Sequence, residues 1–409
     1  MKKLLFCLLL LAVAFLTACG GKQEPVDLIV ASDLHLLAPA LNGDGSFFSA
    51  PSPEQDGKVI HYSNEIADAF FAEVTEKQPE VLILSGDLTL NGAVESHRVL
   101  TEKLRAVQES GVQVLVIPGN HDINGTAASY AGETPEATDT LTSDRWEEFY
   151  SEFGLQQAAS RDEASCSYIY KLGPKLQLIL LDTNTVQKGF VQDGTLQWLE
   201  KELQAAKKKK IDVITVTHQN LYTHNKLLSF GYELYNASAL RDLLWDYGVM
   251  CNLSGHIHVQ SMADGVTPEI ASGSLAVSPL QYGQIHYEDG TMEYTTAETE
   301  VAAWAGRTGV SDGNLLDFAK YAREHFMEVA RLQVRSAFAE SELSAEEIAL
   351  LTETFAVINA EYFAGRPVKT DALEEGIALW RRQEASFFLN YIESMLAVRD
   401  NNCTITIGK

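Results

Sequence analysis

Gly119-Asn120-His121-Asp122 and Gly255-His256-Ile257-His258 crowd amide, imidazole and carboxylate groups into two four-residue stretches. Three smaller polar motifs accompany them: Asp33-Leu34-His35, Gly86-Asp87 and His218. Five of the ten histidines fall within these five motifs, so the chain concentrates ligating groups rather than scattering them. Carboxylate, imidazole and amide oxygen without thiolate form a donor set that suits Mn, Fe, Zn or Co, and not Ca or an iron–sulfur cluster. Residues i and i+2 of an extended segment point to the same side. On that spacing Asp33 and His35 grip one ion together, and His256 and His258 each serve one of two adjacent ions. Two ions about 3.5–4 Å apart need a shared ligand, and Asp87, alone on its loop, is the natural carboxylate bridge. Gly86, Gly119 and Gly255 each precede a ligand candidate, where the backbone has to turn tightly and approach closely.

Each motif follows a short apolar run or ends one. The runs Leu28 to Ala31, Val81 to Leu84, Val112 to Ile117, Leu176 to Leu181, Ile211 to Val216 and Val249 to Leu253 are rich in Val, Ile and Leu. Most are continuous, as expected of strands covered on both faces. Amphipathic stretches lie between them, at Ser63 to Lys77, Ala93 to Glu109, Gly194 to Lys208 and Ser238 to Tyr247. The pattern predicts an α/β catalytic domain over residues 26–300 with a layered sheet core. Two loops interrupt it, Ala38 to Lys58 and Asn124 to Thr142, each directly after a polar motif. Asp182-Thr183-Asn184 ends a further strand and is expected to brace the site from behind.

From about Ser311 the pattern becomes purely helical, predicting a C-terminal α-helical domain over residues 311–400. Leu315 to Phe338 carries apolar residues at helical spacing, and Ser344 with Glu347 forms a capping box. Gly365 and Pro367 mark the end of that second helix, and a third is expected from Asp371 to Val398. Every ligand candidate precedes Gln260, so the helices are expected to control substrate access and to take no part in the chemistry.

The first residues read as a targeting segment. Lys2 and Lys3 precede an apolar stretch, Leu4 to Leu16, whose helix of roughly 20 Å is short for a bilayer. Leu16-Thr17-Ala18-Cys19-Gly20 resembles a bacterial lipobox. The resemblance implies a signal peptide over residues 1–18, acylation of Cys19, a tether over residues 19–25, and a lipoprotein exported to the outer face of a bacterial cell membrane. Cys166, Cys251 and Cys403 are too scattered for a disulfide framework or a zinc–thiolate site, and are expected to be buried thiols, with one disulfide between two of them left open. With 56 acidic against 31 basic residues, the net charge of -25 repels polyanions and argues against broad nucleic-acid binding.

The order D-x-H, G-D, G-N-H-D, H, G-x-H resembles the calcineurin-like metallophosphoesterase superfamily. That resemblance implies a β-sandwich flanked by helices and two divalent or trivalent metal ions, with Mn or Fe favoured and Zn also compatible. Carried over by position, Asp33, His35, Asp87 and His258 hold the first metal, and Asp87, Asn120, His218 and His256 the second. His121 stands over the substrate as general acid or phosphate-oxygen donor, oriented by Asp122, while a bridging hydroxide attacks phosphorus in line. Asn124, Asn220, Tyr222 and His224, just beyond the metal motifs, are candidate substrate contacts; His61, His97, His286 and His325 are assigned to structure.

Ser85-Gly86-Asp87-Leu88-Thr89, the export signal and the helical C-terminal domain narrow the resemblance to the bacterial cyclic-nucleotide phosphodiesterase branch and its cell-surface lipoprotein relatives. The implied function is hydrolysis of phosphodiesters, cyclic nucleotides among them, with a small phosphate ester as the partner. Rival readings are a phosphomonoesterase or phospholipid-head-group phosphodiesterase with the same metals, and a surface binding lipoprotein without catalysis. The metal motifs contain no arginine, which favours a singly charged diester, although the two long loops could bring in Arg145 or Lys58.

Overall fold

The computed structural model describes residues 22–228, 230–383, 387–402 and 404–408. The targeting segment, Cys19 and Cys403 lie outside them. Two sheets face each other. The first has six strands in the order Ile405–Gly408, Thr291–Glu298, Gln281–Glu288, Val26–Ala31, Val81–Leu84, Gln113–Val116. The second has seven, in the order Ser261–Ala263, Glu269–Ala271, Cys251–Ser254, Asp212–Val216, Leu176–Leu180, Tyr168–Lys171, Ser160–Arg161. The three strands that lead into the first ligand motifs run parallel, as do the central strands of the second sheet.

Side-chain alternation explains why the strand sequences are apolar throughout. Leu178, Leu180, Ile214 and Val216 face inward, sharing one core with Leu28, Val30, Ile83 and Leu115 of the other sheet. Ile179, Leu181 and Val213 face outward, into a core made by the helices Asp193–Lys209 and Ala237–Tyr247. The helices Ser63–Lys77 and Val94–Glu109 cover the first sheet in the same way, through Phe70, Val74, Leu100 and Leu104. The result is the expected β-sandwich with helices on its outer faces.

The long hairpin Gln281–Glu288/Thr291–Glu298 was not foreseen from its sequence, which is polar along most of its length. Its turn, Asp289-Gly290, has positive φ at both residues (48° and 84°), as a two-residue hairpin turn requires. The loop Ala38–Lys58 contains two short helices, Pro39–Asn42 and Ser46–Ser49.

Helical structure begins at Val301–Thr308, ahead of Ser311, and continues through Gly313–Leu316, Phe318–Ala337 and Ala345–Phe363. Ser344 and Glu347 form the capping box, with reciprocal bonds of 3.2 and 2.9 Å. The expected third helix is two helices, Glu374–Arg382 and Phe387–Leu396, because Gln383 adopts an extended conformation (φ -71°, ψ 152°) and ends the first. The chain then returns, and Ile405–Gly408 pairs with Thr291–Glu298 on the edge of the first sheet. The helical region is therefore bracketed by two strands of one sheet. Its core also takes in Ile257 and Val259 from the histidine motif, and the Gln260 amide donates to the Phe363 carbonyl at 3.1 Å. The helices thus back the metal motif directly, a closer involvement than the order of residues suggested. Cys251 is buried and Cys166 half-buried, both as free thiols, so Cys166 departs from its expected burial. No helix among the described residues is long and apolar enough to cross a membrane.

Candidate metal centre

The parallel strands of both sheets end at one edge of the sandwich, and the five motifs gather there. The loops are stitched together through the backbone: the Asp33 amide donates to Gly86 O and the His35 amide to Asp87 O, both at 3.0 Å. Asp33, His35, Asp87, His256 and His258 all have positive φ, at 55°, 45°, 48°, 68° and 61°. The extended i, i+2 spacing assumed from the sequence is thus not what brings these side chains together. The chain leaves each strand and turns through the left-handed region, which non-glycine residues seldom adopt and which clusters at functional sites. A side-chain carbon on Gly119 would collide with the Asp87 amide and carboxylate, and one on Gly255 with the Ser32 hydroxyl. Only glycine permits the loops to approach so closely.

Two groups of ligands result. Asp33, His35, Asp87 and His258 can each offer one atom, all within 4.8 Å of one another; so can Asp87, His218 and His256. Asp87 belongs to both. The Asn120 Oδ1 lies 3.0 Å from His218 Nε2, adding the amide oxygen to the second group. His218 Nδ1 donates to Ser85 O (2.9 Å) and His256 Nε2 to Gly231 O (2.8 Å), which fixes each ring and its tautomer.

The residues fit a pair of cations. The Nε2 atoms of His35 and His258 face each other at 3.1 Å, and the buried Oδ1 of Asp33 lacks any hydrogen-bond partner. Burial disfavours charge on His218, yet Asp87 and Asp33 outweigh it and push its pKa up to about 9. Burial likewise works against the Asp87 carboxylate, but His218, His121 and His35 hold it well below the usual range. Burial, then Lys58, pushes His35 well down, and burial, then His218, brings His256 to about 4. Ionised Asp87 beside His35 and His256 kept neutral makes a cradle for positive charge.

His121 stands at the mouth, its side chain 41% exposed and its Nε2 4.0 Å from Asp87 Oδ2. Its Nδ1 donates to the Leu90 carbonyl at 2.8 Å. Asp122, expected to orient that ring, does something else. Its buried carboxylate accepts from the amides of Gly119, Leu88 and Thr89 (2.8, 3.1 and 2.8 Å) and from the Thr89 hydroxyl. It ties the Asp87 and Asn120 loops together, and burial, with Asp87 nearby, raises its pKa to about 7.

The cavity over the ligands holds about 410 Å³ and is walled by Leu228, Phe230, Tyr232, Phe363 and Tyr391 beside the histidines. The four candidate substrate contacts do not line it. Asn220 is buried against Ser254 and Gly255, and His224 against Ser261 and Glu269. Tyr222 lies under Arg241 with its hydroxyl at the Thr267 amide, and Asn124 bonds to Ser143. Their positions next to the motifs serve loop structure. Asn184 does brace the site, donating to Pro118 O at 3.0 Å. Lys58 does reach the cavity, its loop held by an isolated β-bridge between Lys58 and Val277, and is ion-paired there with Asp56. Arg145 does not: it pairs with Glu148 over the Phe149 ring.

A model of calcineurin-like phosphoesterases matches residues 27–260, more than half of the chain, and a model of the C-terminal domain of cyclic nucleotide phosphodiesterase matches residues 300–402. A "probable cyclic nucleotide phosphodiesterase" of Ruthia magnifica subsp. Calyptogena magnifica is 27% identical over 184 residues, 44% of this chain and 62% of that protein. The chain thus spans less than two thirds of that relative's length. Among solved structures, a dimetal phosphatase from Danio rerio superposes with a TM-score of 0.52 at 13% identity, covering 68% of this chain and 97% of that one, which shows a shared fold. With its model matched over more than half of the chain, the protein belongs to the calcineurin-like phosphoesterases.

Proposed function

We propose that the protein hydrolyses phosphodiesters, cyclic nucleotides among them. The observation that carries this reading is the charge of the cavity. Among the described residues lining it, Lys58 is the one Lys or Arg, and Asp56 already neutralises it. A phosphomonoester near neutral pH approaches two negative charges, and sites specialised for it usually add arginines to the terminal oxygens. A diester carries one, which two metals and a neutralised lysine can accommodate. The name of the Ruthia relative and the match to the C-terminal domain model support the same reading.

When bound, the ions supply Lewis acidity to the phosphoryl group and acidify the attacking water. Asp33, His35, Asp87 and His258 would hold one, and Asp87, Asn120, His218 and His256 the other, with Mn or Fe favoured and Zn compatible with the donors. His121, braced at Nδ1 by Leu90, presents Nε2 to the leaving oxygen and supplies its proton. Tyr232, Phe363 and Tyr391 keep water from the rest of the ester. The test supplies Mn to metal-free protein and compares kcat/KM for bis(p-nitrophenyl) phosphate with p-nitrophenyl phosphate, and for 2′,3′- and 3′,5′-cyclic nucleotides with nucleoside monophosphates. The diesters should win by about tenfold or more, the order of one lost charge-assisted contact. A consistent monoester preference would sink the diesterase reading and leave the family standing.

We also propose that Cys19 carries a lipid anchor, on the strength of the lipobox-like Leu16–Gly20 sequence. Cys19→Ser should move the protein out of the membrane fraction or leave it unprocessed. Equal membrane retention of both forms would mean that something else holds it there.

A further inference from the structure

A second hollow of about 280 Å³ adjoins the cavity over the ligands, between the helices Phe318–Ala337, Ala345–Phe363 and Phe387–Leu396, and Asp56, Phe363 and Tyr391 line both. Phe355, Asn359 and Phe363 stand four residues apart on one helix and so share one face. Phe363 lies 4.9 Å from Phe326, and Phe355 lies 5.2 Å from Phe388 and 6.3 Å from Tyr391. Among these rings sits an amide. Asn359 is 7% exposed, and its Oδ1 has no hydrogen-bond partner.

A buried amide among aromatic rings is unfavourable unless something bonds to it, and leucine would fill the same space without that penalty. The ligand that suits the hollow therefore has flat apolar faces and a hydrogen-bonding edge. An acyl chain would satisfy the rings and leave the amide unpaired. A nucleobase satisfies both, since every base has a face that stacks on aromatic side chains and an edge that an amide can read.

We propose that this hollow is the nucleobase subsite: the base lies among the rings of the helical region with its edge on Asn359, while its phosphate reaches the metal ligands. The proposal rests on the diesterase reading above and assigns the helical region a substrate, which that reading leaves open. It also accounts for the Phe363 and Tyr391 side chains, which line both hollows and would lie beneath the sugar.

Two experiments test it. In the first, adenosine, which carries no phosphate, is titrated calorimetrically into metal-free protein. The wild type should bind it, and Asn359→Leu should bind it ~10- to 100-fold more weakly, the effect of one unmade buried hydrogen bond, while its Tm stays level or rises. With metal restored, the ratio of kcat/KM for 3′,5′-cyclic AMP to that for methyl p-nitrophenyl phosphate should fall by a similar factor, mainly through KM. In the second, 8-azidoadenosine is photolysed on wild-type protein, which requires no variant to fold. Label should appear in the peptides spanning Phe355–Phe363 or Phe387–Tyr391; label elsewhere, or none displaceable by adenosine, overturns the subsite. An unaltered adenosine affinity and substrate ratio in Asn359→Leu overturns it too. Diester cleavage without adenosine binding would refute the subsite and leave the diesterase reading intact. Adenosine binding through Asn359 without cleavage of any diester would do the reverse.

Discussion

Asp87→Ala is expected to empty the protein of both metal ions and to abolish turnover. Asp87 is the one residue common to both ligand groups, so removing its carboxylate takes a donor from each ion at once. The loss extends to the loop. The carboxylate also accepts the His121 amide at 2.8 Å, so its loss frees the backbone that carries the His121 ring and leaves the bond to Leu90 O as that ring's anchor. Metal content per chain, measured by mass spectrometry on purified protein with a wild-type circular dichroism spectrum, reads the result. Two ions retained in a folded Asp87→Ala protein would refute the shared-ligand assignment.

His121→Ala should give the opposite pairing of outcomes: full metal content, with kcat lowered by a factor on the order of 10²–10⁴, the usual range for loss of a positioned general acid. The ring is half-exposed, lies outside both ligand groups, and touches the centre through its backbone amide, which alanine keeps. Leaving-group dependence provides a check that a structural defect would not mimic. Esters of p-nitrophenol, whose leaving oxygen needs little protonation, should lose far less rate than alkyl or nucleoside diesters. A His121→Ala protein that is metal-free, or that loses rate uniformly across leaving groups, would remove His121 from the role of proton donor.

The donor set was legible because chemistry restricts it. Few combinations of Asp, His and Asn at strand ends serve any purpose but metal binding, and the apolar runs before them read directly as strands buried on both faces. The geometry behind the set was not. Asp33 and His35 converge through left-handed backbone, which residue types alone do not announce, since both are ordinary L-residues without a glycine's freedom. Asp122 looked like a partner for its neighbour in sequence, yet its carboxylate points to amides some 30 positions earlier, a pairing created by packing. Lys58 shows the same limit. It lies in a Gly-, Pro- and Ser-rich loop with no periodicity, and only the long-range bridge to Val277 places it over the site. The hairpin was readable in principle, because Asp289-Gly290 is a strong turn signal, but the polar residues flanking it concealed the alternation. The break after Arg382 was hidden because helical spacing resumes on the far side of it.

The way the histidine motif is backed has a consequence for the order in which the molecule is made. All seven ligands have been synthesised once His258 emerges, but the apolar surface that covers Ile257 and Val259 arrives only with the helices from Phe318 onward. The strand that closes the sheet edge comes later still, as the last described segment. A nascent chain therefore owns a full set of candidate donors for about 60 residues of elongation, from His258 to Phe318, before the apolar surface begins to form beneath two of them. Because domains tend to fold from the N-terminus as they are made, the sandwich can form around Asp33, Asp87 and His218 early, while the grip of His256 and His258 is set only once the helices follow.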